Sequence, residues 1–211
     1  MLKRDDGQVS LSVILLSLII LAAGIGAFVF GEAADARSRA QKSADAAALA
    51  AARDTRDTLI EMYTRGHVPT PPRPILTPWE THILVANQSG RAGASDYASR
   101  NASSVTSYVP AGYRITVDTA SNETPVESPV GKKVRTSLSS PATATAELDK
   151  SGMFCTVVNV VIVKGVIVEW SMKCTRKGRT AHAHYVAPLL TMPVALDRDS
   201  WRRLFDIRLV D

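Results

Sequence analysis

The chain is poor in the side chains that usually carry chemistry. Two cysteines and four histidines stand among 211 residues, too few for a cysteine-rich zinc or redox framework. Cys155 and Cys174 are not spaced as a C-x-x-C pair, and His182 and His184 have no carboxylate or cysteine at supporting spacing, so neither pair is read as a metal site. There is no nucleophile elbow, no phosphate-binding loop and no compelling pair of carboxylates. No catalytic residue, cofactor, metal or small-molecule substrate is therefore read from the sequence, and an enzyme is not expected. Aromatic residues make up only 6%. The basic run "TRKGRT" (175 to 180) has none interleaved, which argues against nucleic acid and leaves a solvated turn as the expectation.

Charge is missing from one long stretch. "VSLSVILLSLIILAAGIGAFVF", residues 9 to 30, holds no charged side chain and is bounded by Lys3, Arg4, Asp5 and Asp6 before it and Glu32 after it. As a helix it measures roughly 30 Å, the thickness of a bilayer's hydrocarbon core, so a transmembrane helix is predicted over 9–30. A removable secretory signal is the competing reading, because Lys3 and Arg4 make a basic start and Ala34-Asp35-Ala36 resembles a cleavage site. The apolar run exceeds the roughly 7 to 15 residues of such signals. Basic residues do not orient the segment, since Lys3 and Arg4 are balanced by Arg37, Arg39 and Lys42.

The helical pattern continues to about Arg65, where Gly66 and then Pro69, Pro71, Pro72 and Pro74 stop it. Along this stalk, residues 31–66, the positions Ala33, Ala36, Ala40, Ala44, Ala47 and Ala51 fall on one narrow stripe, opposite Asp35, Arg39, Lys42, Asp45, Arg53 and Asp57. Leu49 sits among the charges and breaks the pattern. Alanine favours helix but buries little area, so what the stripe permits is close approach of a second helix. Ala22/Gly26, Ala23/Ala27 and Ala27/Gly31 continue the theme inside the uncharged segment at small-xxx-small spacing. These positions are the candidate helix-contact residues. The alternative is a helix-favouring stalk that packs on its own domain.

These residues resemble a family. A short basic leader (1–8) ending near Gly7, an apolar span, then "RSRAQKSADAAALAAARD" (37 to 54) is similar to the N-terminal module of the TadE/TadG-like proteins of the tight-adherence, or Flp-type, pilus machinery. The family's Ala-Asp-Ala-Ala-Ala-Leu-Ala-Ala run is matched by Ala44 to Ala51. The resemblance implies a single-pass protein of a bacterial cytoplasmic membrane, with its C-terminal part extracytoplasmic, serving pilus assembly or secretion as a minor pilin-like or accessory subunit. Implied partners are other pilus or secretion subunits, reached through the transmembrane and stalk helices, together with membrane lipid and, in one version, a surface filament. It makes Gly7 and Gln8 the candidate processing junction. Where pilin-like precursors carry a glutamate five residues into the mature helix, this chain has Ser12.

Beyond a proline-rich connector, "HVPTPPRPILTP" (67–78), the composition predicts a small α+β domain over 79–211. "GASDYASRNASS" (93 to 104) carries a helix signal ending near Asn101, while "YRITVDT" (113 to 119) and "TATAEL" (143 to 148) alternate as strands. The strongest β signal is "CTVVNVVIVKGVIVEWSMKC", broken by Lys164-Gly165, where a tight turn fits. If those two residues form the loop, Cys155 faces Cys174 across an antiparallel pair, within reach of a disulfide. Two buried thiols are the alternative. A disulfide would put the domain outside the cytoplasm. The expected fold is thus α+β: a long N-terminal transmembrane and stalk α-helix, then a small extracytoplasmic domain with an antiparallel β-sheet. A membrane-tethered or secreted module binding a cell-envelope ligand is the second functional reading; replacing residues 9 to 52 with an unrelated anchor separates the two.

Overall fold

The structure, a computed structural model, describes residues 6–65, 79–122, 126–127, 133–134, 140–186 and 197–210. The predicted connector at 67–78 lies outside them. The chain divides into two units, Met1–Arg39 and Ala40–Asp211, so the division falls inside the predicted stalk.

One helix, α1 (Asp6–Arg65), supplies the first unit and opens the second. It ends at the residue before Gly66, as the cluster of helix breakers predicts. In the first unit Asp35 and Arg39, four apart on the helix, form an acid-before-base pair at 2.9 Å. Among the described residues no helix is long and apolar enough to cross a membrane.

The second unit is α+β. It adds α2 (Trp79–Arg100) and α3 (Arg198–Arg202) to strands β1 (Ser103–Ala111), β2 (Arg114–Ser121), β5 (Pro141–Asp149), β6 (Phe154–Val163), β7 (Val166–Arg176), β8 (Arg179–Val186) and β9 (Asp206–Val210), with a two-residue pair β3 (Val126–Glu127) and β4 (Lys133–Val134). The strands form a four-stranded sheet in the order β1-β2-β5-β9 and a three-stranded sheet in the order β6-β7-β8, every pairing antiparallel.

Both hairpins of the second sheet turn on a Lys-Gly pair with positive φ at both residues, Lys164 (50°) with Gly165 (80°) and Lys177 (49°) with Gly178 (76°). That geometry matches the twist of the flanking strands, and glycine adopts it without steric cost. The first of these turns sets Cys155 opposite Cys174. Between the hairpin's ends the register slips by one, pairing Val160 with Trp170 and Val161 with Glu169. Val158 on β6 and Val168 on β7 are the extra residues, and because one lies on each strand the shifts cancel. The slip has a packing purpose. Ile167 and Trp170 would face opposite sides of a regular strand, and the bulge turns both inward, ahead of Met172 and Cys174.

Each sheet covers its own core. The first sheet's Ile115, Val117, Ala144, Ala146 and Leu148 pack on the alanines of α1 and on Ala94 and Ala98 of α2. The second sheet packs Trp170, Met172 and Cys174 against Leu59, Ile60, Ile83, Trp201, Leu204 and Phe205. The last three explain the C-terminal segment. It forms both a short helix, capped by Asp197 accepting from the Ser200 N–H at 3.2 Å, and a closing strand.

"TRKGRT" is only in part the solvated turn expected. Lys177 and Gly178 make the turn, but Arg176 is 2% exposed. Its guanidinium donates to the carbonyls of Ser151 and Leu204, each at 2.9 Å, and to Asp149 at 2.7 Å, and it pairs with Asp206 at 3.0 Å. A buried cation is tolerated because its donors are satisfied in this way, and the result ties the second sheet to β5 and β9.

Candidate functional site: the two stretches of the N-terminal helix

In the first stretch, eight large aliphatic side chains between Val13 and Leu21 are 52–63% exposed. Consecutive residues such as Ile14, Leu15 and Leu16 point around the whole circumference, so this is not an amphipathic helix lying on a core. The small residues predicted to admit a neighbour stand in open surroundings. Ala22, Ala23 and Ala27 are exposed, and a methyl group placed on Gly26 or Gly31 would meet nothing within 4 Å. Gly7 and Gln8 belong to the first turns of α1, but the side chain of Gln8, like that of Ala33, lies outside the described ones. Ala36 is half-buried.

The second stretch is the reverse. Ala44, Ala47 and Ala51 are 0% exposed, and Ala40 is also buried. The elements that Ala44, Ala47 and Ala51 meet come from the same chain: α2 on one flank and the first sheet on another. The helix therefore buries more than the single predicted stripe, with Ser43, Ala48, Ala50, Ala52 and Thr55 enclosed as well. Leu49, which broke the stripe, packs at the margin of this cluster. Of the two readings of the seam, the own-domain packing is the one Ala44, Ala47 and Ala51 display. The signal for their partner was in α2: a methyl on Gly90 would stand 2.8 Å from the Ala51 carbonyl oxygen, and one on Gly93 would collide with Asp54. Glycine there is what lets the two helices close on each other.

Polar links fasten that contact. Thr58 and Ser89 share a hydroxyl hydrogen bond of 2.8 Å. Tyr108 donates to the Asn87 carbonyl at 2.7 Å, and Asn87 donates to the Gly112 carbonyl at 3.0 Å, joining α2 to the first hairpin. Asp57, predicted on a charged outer face, accepts three hydrogen bonds from the guanidinium of Arg202 of α3 across its two oxygens, the shortest 2.6 Å. Burial pushes the Asp57 carboxyl up, but the bonds from Arg202 and Arg56 outweigh it and hold the group below the usual range. Asp54 moves the other way, raised by burial and by the neighbouring charges of Asp57 and Asp96. The Ser151 hydroxyl and N–H, helped by Arg176, hold Asp149 at about 2.

Cys155 and Cys174 form a disulfide with their Cα atoms 4.0 Å apart. His182 and His184 are exposed on the outer face of β8, and His184 lies 3.9 Å from Glu169. Among the described residues no three His, Cys, Asp or Glu side chains converge to hold a metal ion.

Comparison with known proteins bears on the helix alone. Residues 7–54 match the family described as putative Flp pilus-assembly TadE/G-like. Over that segment the chain is similar to this family, as the alanine run and its place after the uncharged stretch implied. No curated protein and no solved structure matches the chain. The matched segment takes in both the exposed stretch and the buried alanines, whereas α2 and the strands that cover those alanines lie beyond its end.

Proposed function

We propose that this chain is a non-enzymatic, membrane-anchored minor pilin-like or accessory subunit of a Tad/Flp-type pilus or related secretion system, held in a bacterial cytoplasmic membrane by residues 9–30 with its disulfide-bonded domain outside the cytoplasm. One coincidence carries the reading: the TadE/G-like segment contains a 22-residue run without charge whose described aliphatic side chains are uncovered on every side. Such a surface is costly in water and is matched by lipid tails or by the apolar surface of other helices. Ala22, Ala23, Gly26, Ala27 and Gly31 supply the small-residue faces that let neighbouring helices approach. The buried alanines from Ala40 onward instead hold the domain on the helix. Association with other subunits is therefore assigned to residues upstream of Ala40.

The test is to isolate the protein from a membrane fraction, challenge the membranes with alkaline carbonate, and determine intact mass and N-terminal sequence. Retention in the membrane with a start at Met1 or Gln8 is the expected result, Gln8 marking pilin-type processing. A start at Arg37, or release by carbonate, would remove the anchor and with it this mechanism.

A further inference from the structure

A sheet edge exposes unpaired backbone donors and acceptors, and most edges carry a device that prevents pairing with another chain. Three of the four edges of the two main sheets do so here. β1 contains Pro110, β9 carries Asp206 and Arg208, and β8 presents Arg179, His182 and His184. β6 differs. Its ten residues, "FCTVVNVVIV", include no charge, proline or glycine, and among the described residues β7 is the one strand paired with it.

The bulge at Val158 disrupts the ladder at mid-strand and restricts regular pairing to the run Asn159–Val163. Within it Val161, Ile162 and Val163 are 36%, 47% and 50% exposed. Successive residues point to opposite faces, so both faces are uncovered at this end.

We propose that β6 is a docking edge for a second copy of this chain, the stretch Asn159–Val163 pairing antiparallel with itself across a twofold axis centred on Val161. Two three-stranded sheets then join into one of six. Charge selects this occupant. The strand offers a charged partner no complement, whereas self-pairing places only Asn, Val and Ile opposite one another. Pairing through β8 would bring the basic residues of two copies together. A twofold pairing also closes on itself rather than propagating.

The experiment uses the full chain in mild detergent. Val161→Cys treated with a short bis-maleimide, which leaves the Cys155–Cys174 disulfide alone, should give a covalent dimer, while Val186→Cys on the β8 edge should not. In sedimentation, Val161→Lys should weaken the dimer at least tenfold by setting like charges opposite each other. If that variant loses its fold, as judged by its thermal midpoint, the cross-linking contrast decides. A strictly monomeric wild type, equal cross-linking at positions 161 and 186, or a dimer unaffected by Val161→Lys in a folded protein would overturn the proposal.

Discussion

The two stretches of α1 are built from similar material and put to opposite use. Residues 12–27 present large aliphatic side chains to their surroundings with small residues between them. Residues 40–60 carry alanines enclosed by α2 and the first sheet, then Leu59 and Ile60 in the second core. The difference teaches that small-residue spacing marks where a helix can be approached closely and does not say by whom. In the second stretch the chain answers with its own glycines, Gly90 and Gly93.

The largest effect on the second stretch's domain is expected at the disulfide. Replacing Cys155 and Cys174 with serine removes a cross-link spanning 19 positions, and the domain should lose about 3 kcal/mol. Chemical denaturation should register the loss, while the membrane retention proposed for residues 9–30 should not change. Next in size, Ala47→Leu forces extra methyl groups between α1, α2 and the first sheet and should cost about 1–3 kcal/mol. Ala23→Leu, the matching change in the exposed stretch, should leave the domain's unfolding unchanged and alter only recovery of partner subunits. Asp57→Asn weakens the fork from Arg202 at a site more than a third exposed, so the loss should stay below about 1 kcal/mol in the same assay.

The acid limb offers a finer contrast. Asp149 is depressed from 3.8 to about 2 by its bonds from Ser151 and by Arg176. A group bound more weakly to protons in the folded state stabilises the fold above its unfolded value, and that contribution is lost as pH falls through the folded one. The domain's thermal midpoint should therefore decline from about pH 4 toward about pH 2, and Asp149→Asn should flatten that limb.

Much of this was legible from local chemistry. The helix end at Arg65, the Lys164-Gly165 turn and the disulfide followed from breakers, turn residues and alternation, all of which act over a few positions. The compensating bulges at Val158 and Val168 left no such sign, because they answer to the inward packing of Ile167 and Trp170. The start of α2 at Trp79, fourteen positions before the helix signal at Gly93, was hidden because that helix gains its stability from burial against α1. Arg176 read as surface charge for the same reason: its acceptors come from Asp149, Ser151, Leu204 and Asp206, distant in sequence. The candidate association residues were half legible. Spacing found the small positions, but only packing separated Ala22–Gly31, which stand uncovered, from Ala40–Ala51, which do not.

That separation fixes how the central claim is tested. An exchange reaching residue 52 would destroy the domain core and report nothing about association, so the replacement must be confined to residues 9–30. The full chain carrying an unrelated apolar anchor there should keep its disulfide and unfolding midpoint but no longer co-purify with pilus-machinery subunits. Full recovery of those subunits with the foreign anchor would contradict the account and reduce the first stretch to a tether.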